Sequence, residues 1–100
     1  MPAYVISELE ILDERAAAEY RRLAAASIAE HGGRYLARGV LPWVAEGPPS
    51  DRRLVLLEFP SMERARAWYA SPAYARALAY RDSALARRLV FFDGNVEWRE

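Results

Sequence analysis

RLVLLEF, residues 53–59, is the stretch on which the fold turns. It is rich in leucine and valine, has no internal breaker, and stops at Pro60, so it reads as a strand. A sheet with one wet face alternates apolar and polar side chains, and this strand does not. Both of its faces therefore need cover. The same holds for LVFF within RLVFFDG, residues 88–94. The exception inside the first stretch is Glu58, whose carboxylate in apolar surroundings costs several kcal/mol unless it is paired.

Outward from that strand the chain divides into alternating elements. AYVISELEI, residues 3–11, has strand composition. Asp13 is placed to cap a helix over residues 14–31, along which Tyr20, Leu23, Ala24, Ser27, Ile28 and His31 recur at the spacing of one face. Gly32 follows where a left-handed helix stop is wanted. RYLARG, residues 34–39, is a second strand. Residues 40–51 form a proline-rich connection, in which the region of Trp43 is expected to hold a short edge strand, the only setting that tolerates Pro42. Ser61 caps a helix over residues 62–70, and Ser71 with Pro72 restarts one over residues 72–86. Residues 88–94 make the fourth strand and NVEWRE a tail.

The order β-α-β-β-α-β predicts a ferredoxin-like α+β domain over residues 1–100, a four-stranded antiparallel sheet with its helices on one face. Its other face would stay uncovered. Strands apolar on both sides then predict a homodimer, two sheets packed back to back.

Composition narrows the chemistry. The chain has 14 acidic and 14 basic residues and no net charge, with no basic stripe, so nucleic acid and anionic membrane are not expected partners. It lacks cysteine, which removes thiol nucleophiles, disulfides and thiolate metal sites. All 14 basic residues are arginine, and without lysine there is no side-chain Schiff base. One histidine and no cysteine make a zinc or non-haem iron site unexpected, and no phosphate loop or nucleophile elbow is present. Neither a signal peptide nor an apolar run of about 20 residues is seen, so the expected location is the cytoplasm.

Several short motifs carry a family likeness: His31-Gly32-Gly33-Arg34-Tyr35, Glu58-Phe59-Pro60-Ser61, and Ala67-Trp68-Tyr69 with Ser71-Pro72 and Tyr74. With Tyr4, Asp13, Tyr20, Arg38-Gly39, Glu46-Gly47 and Arg81, they make the chain resemble domain-of-unknown-function family 1330 from residue 3 to about residue 94. That family is similar to the dimeric α/β-barrel superfamily, which includes antibiotic-biosynthesis monooxygenases, muconolactone isomerases and haem-using enzymes. The resemblance implies a homodimer and a ligand pocket between the helices and the concave sheet of each protomer. It brings no established activity.

Two residues are the candidates for proton chemistry. An imidazole can serve as a general base, and His31 lies on the inward stripe of the first helix, yet a helix end followed by two glycines also suits a histidine bonded to a last-turn carbonyl. Glu58 is either an acid or base tuned by burial or one half of an ion pair with Arg34, Arg38 or Arg81. The two would merge if the carboxylate oriented the imidazole. Tyr4 and Glu58 fall on the first and third strands, expected to be adjacent and parallel. Tyr4, Trp68 and Tyr74 would shape a pocket for a flat organic ligand, although aromatics at helical spacing also serve as plain core. Arg34 or Arg81 would hold a carboxylate or enolate, and Trp43 would cover the pocket mouth or the partner.

The leading expectation is a small-molecule-binding protein that handles an aromatic or lactone-like compound by cofactor-independent, monooxygenase- or isomerase-like chemistry. The alternative is a non-catalytic dimeric accessory or sensor module. It predicts Trp68 and Tyr74 packed solid, Glu58 paired to arginine, and no open pocket. Haem ligation by His31 has no supporting motif, and no cofactor is expected.

Overall fold

The computed structural model describes residues 1–94. Seven elements follow one another: β1 (Ala3–Ile11), α1 (Glu14–Glu30), β2 (Arg34–Val40), β3 (Arg53–Phe59), α2 (Met62–Tyr69), α3 (Pro72–Ala84) and β4 (Leu85–Asp93). This is the ferredoxin-like order with its second helix broken in two. The break falls where Ser71 accepts from the Tyr74 amide and Pro72 opens α3. Ser61 caps α2 and Asp13 caps α1 in the same way. The tail read at residues 95–100 lies outside the described residues.

The sheet order is β2-β3-β1-β4, and every neighbouring pair is antiparallel. β1 and β3 are adjacent as expected but not parallel. The crossover through α1 sends β2 in the direction of β1, and the β2–β3 connection then reverses it. Tyr4 therefore stands directly opposite Glu58. Two further expectations change. Residues 41–52 contain no strand, and Trp43 is 89% exposed in an irregular loop. β4 begins at Leu85, three residues earlier than its composition suggests, and α3 ends correspondingly early. β1 is nine residues long, and its backbone groups need partners along their whole length. Pairing of Ile11 with Leu85, Glu10 with Ala86 and Leu9 with Arg87 supplies them. Tertiary pairing thus overrides the helix preference of Ala86.

Alternation along the strands separates the two faces. Ala3, Val5, Ser7 and Leu9 of β1 and Leu57 and Phe59 of β3 are buried. They meet Ala17, Tyr20, Ala24 and Ile28 of α1, Trp68 of α2, and Tyr74, Ala77 and Ala84 of α3. The opposite face presents Tyr4, Ile6, Glu8, Leu54, Leu56 and Glu58, with Ile6 opposite both Leu56 and Val90. No helix covers this face among the described residues.

The stop of α1 follows the expected chemistry. Gly32 takes φ 75°, and the amides of Gly32 and Gly33 return to the carbonyls of Ala29 and Ile28, at 3.1 and 2.9 Å. These bonds satisfy carbonyls that the helix end would otherwise leave open. Gly33 is needed for a different reason. A Cβ there would sit 2.5 Å from Phe59 Cε1 and 2.8 Å from Ile28 Cγ2, two fully packed side chains. Gly33→Ala is expected to cost about 1–3 kcal/mol through overpacking, read as a fall in thermal midpoint of several degrees without loss of helical signal.

Candidate functional site

A cavity of about 370 Å³ lies between α1 and the concave face of the sheet. That is toward the lower end of the range for small-molecule sites. Val5, Leu9, Val55, Leu57 and Leu89 form its sheet wall, Ala24 and Ile28 its helix wall, and Trp68 closes one part. Tyr35 and Arg38 of β2 also line it, with the Arg38 guanidinium 4.3 Å from the centre of the Tyr35 ring. Regular alternation along β1, β3 and β4 accounts for the apolar wall: every second residue of each strand points at α1.

The polar part of the cavity is built from three elements. Arg87, on β4 opposite Leu9, donates from Nη1 to the Tyr20 hydroxyl at 2.6 Å and from Nη2 to the Tyr74 hydroxyl at 2.7 Å. The hydroxyls of Tyr20, on α1, and Tyr74, on α3, are themselves 2.5 Å apart. Burial and the nearby Tyr20 push the Tyr74 hydroxyl far above its ordinary pKa, so it stays protonated. For Arg87 burial acts to lower the pKa, but the two tyrosines outweigh it and the group is held as a cation. Ser7 adds a buried hydroxyl with no hydrogen-bond partner on the same sheet face, and its side chain lines the cavity.

The seven residues expected to form the site are split by the sheet. Trp68 lines the cavity, with its indole nitrogen donating to Ser27 Oγ at 3.0 Å. Tyr74 is fully buried behind the wall and reaches the site through its hydroxyl. Glu58 and Tyr4 stand on the uncovered face, on the far side of the sheet from α1. Glu58 is paired with Arg34 at 2.7 Å, and the Arg34 guanidinium and Tyr4 hydroxyl hold its carboxyl below the usual range. That carboxylate in turn pushes the Tyr4 phenol up. Arg81 pairs with the neighbouring Asp82 at 3.0 Å, and neither it nor Arg34 lines the cavity. His31 caps α1: its Nδ1 lies 2.8 Å from the Ser27 carbonyl, which can only accept, so the proton is on Nδ1. It does not line the cavity, and Glu58 is bonded to Arg34 rather than to its imidazole.

The buried Trp68 and Tyr74 and the Arg34–Glu58 pair are features that a module without a site would also have. The open cavity is the feature it would lack. Sequence reading placed Tyr20 on the inward stripe but missed Arg87, because the fourth strand was expected to begin one residue later. Period-two alternation running back from Leu89 through Arg87 to Leu85 was the available signal. His31→Ala is expected to leave binding in the cavity unchanged and to lower stability by about 0.5–1 kcal/mol through loss of the cap bond. Paired ligand titration and thermal melting of this variant check both parts.

Among the described residues no helix is long and apolar enough to cross a membrane, and no three carboxylate or imidazole side chains gather to hold a metal ion. No curated protein matches the sequence. Solved structures share the fold at low identity. The protein RPA0582 of unknown function from Rhodopseudomonas palustris superposes with a TM-score of 0.74 at 20% identity, covering 91% of this chain and 80% of that one. SnoaB, a cofactor-independent oxygenase from Streptomyces nogalater, superposes at 0.61 with 16% identity, covering 99% of this chain and 98% of its own. A dimeric protein of unknown function with a ferredoxin-like fold from Bacteroides fragilis gives 0.63 at 14% identity, over 92% of this chain and 95% of that one. The model of a domain of unknown function, DUF1330, matches residues 2–95, and the chain belongs to that family.

Proposed function

We propose that this protein is a homodimer whose protomers each bind a flat, aromatic or lactone-like organic compound between α1 and the concave sheet face. The observation that carries the reading is the cavity itself: an apolar chamber of about 370 Å³ with Trp68 in its wall and a hydrogen-bonding cluster at one side. A filled core would have no such space, since protein interiors are packed to crystal density with few voids larger than water. An apolar body would be held by area burial, and Ser7 and Arg87 would fix its orientation.

Cofactor-independent chemistry on that compound is the enzymatic form of the proposal. Such chemistry needs proton donors and an electrostatic partner for developing negative charge, both within reach of the bound molecule. Tyr20 and Arg87 supply these groups on the cavity side of the sheet. The likeness to SnoaB, described as a cofactor-independent oxygenase, supports the reading through fold.

The dimer is proposed from the uncovered sheet face. Ile6, Leu54, Leu56 and Val90 form an apolar patch there, bordered by the exposed Val40 and Phe92. A second copy placed back to back would bury the patch, whereas a solvated antiparallel sheet face alternates toward polar side chains. The Bacteroides fragilis neighbour, described as dimeric, supports this. Native mass spectrometry is expected to give twice the 11.4 kDa chain mass. Ile6→Glu, which puts a charge at the centre of the patch, is expected to yield a monomer with an unchanged helical spectrum. A monomeric wild-type protein would remove the dimer from the proposal.

A further inference from the structure

We infer that the cavity's occupant is an organic anion, an aromatic carboxylate whose oxygens complete the hydrogen bonding of Arg87. This rests on the reading of the cavity as a small-molecule site and specifies the charge of what it takes. The first support is the pairing of Arg87. Guanidinium groups removed from water are ordinarily matched by a carboxylate, commonly through two parallel N–H donors. Here the fork is met by two neutral oxygens, the Tyr20 and Tyr74 hydroxyls, whose 2.5 Å separation is close to that of the two oxygens of one carboxylate. They solvate the positive charge and do not neutralise it.

Counting hydrogens gives the second support. Arg87 has five N–H donors, of which two are used by the hydroxyls. The tyrosines carry one hydrogen each, and only one of these can lie in the bond between them. One hydroxyl hydrogen is therefore left over, and Tyr20 is the member of the pair that lines the cavity. The cluster is rich in donors and short of acceptors. A carboxylate supplies acceptors and the missing negative charge together, whereas a neutral amide would bring further donors.

A third observation concerns the walls. The whole chain is neutral, yet the cavity is lined by four arginines, Arg21, Arg38, Arg53 and Arg87, against one acid, Glu14. None of the four forms an ion pair among the described residues, whose ion pairs are Arg22–Glu19, Arg34–Glu58 and Arg81–Asp82. Positive charge is thus concentrated at the cavity and left unpaired there, which favours entry and retention of an anion.

The test compares 2-naphthoate with 2-naphthamide, its uncharged analogue of nearly equal shape, by calorimetric titration of the wild-type protein. The carboxylate is expected to bind about tenfold tighter or more, the range for a hydrogen-bonded charge pair. Arg87→Met is expected to erase that preference. Tyr20→Phe, which keeps the ring and removes one hydroxyl, is expected to reduce it, and it serves in place of Arg87→Met should that variant fail to fold. Arg34→Gln, on the other face of the sheet, is expected to bind as the wild type does. Equal binding of amide and carboxylate would overturn the assignment of charge while leaving the cavity as a small-molecule site. A folded Arg87→Met or Tyr20→Phe protein with undiminished preference would overturn the role of the cluster. Failure of both probes to bind the wild type would overturn the inference and the cavity reading together.

Discussion

A half-buried guanidinium between the helices and the sheet, bonded to two phenol hydroxyls, is the constraint from which the inner half of this molecule follows. Arg87 enters from β4, Tyr20 from α1 and Tyr74 from α3, so one three-membered cluster ties the first helix, the last helix and the final strand. Removing either hydroxyl would leave a part-buried donor of Arg87 without its partner. The cavity lies beside these polar atoms, between α1 and the sheet.

The sheet divides the protein's chemistry into two compartments. On the helix side, alternation delivers Val5, Ser7, Leu9, Arg87 and Leu89 to one chamber. On the other side it delivers Tyr4, Ile6, Leu56 and Glu58 to an open surface. A one-residue shift in any strand would exchange the two sets, which is why register matters more here than composition. The Arg34–Glu58 pair belongs to the second compartment, next to the apolar patch proposed to meet a second copy. Glu58 is therefore better understood as part of a sheet surface than as an acid or base. Its position between Leu57 and Phe59, both buried, shows how a single strand can serve core and surface in turn.

The His31-Gly32-Gly33 sequence shows how a functional-looking motif can be exhausted by helix termination. Gly32 supplies the left-handed turn, Gly33 admits the Phe59 ring at close range, and the imidazole bonds the Ser27 carbonyl. Each residue has a structural task that explains its identity. By contrast, Ser7 is buried with no hydrogen-bond partner, and the half-buried Arg87 is bonded to neutral hydroxyls only, and it is there that physical reasoning finds room for a ligand.

Much was legible from the chain alone. Short apolar runs, three capping residues and the breakers Gly32, Pro60 and Pro72 determined the element order and the broken second helix, because these are local preferences expressed within a few residues. Two-sided apolar strands also indicated a sheet needing cover on both faces. Tertiary structure decided the rest. The direction of β3 relative to β1 followed from the path of the crossover, and the early start of β4 from the unmet backbone of β1. Which side of the sheet each candidate faced depended on register, a property of pairing between strands distant in sequence. That is why the sequence left open whether Glu58 and His31 meet, where folding bonds one to Arg34 and the other to the Ser27 carbonyl, and why Arg87, Tyr20 and Tyr74, up to 67 positions apart, came together only on folding.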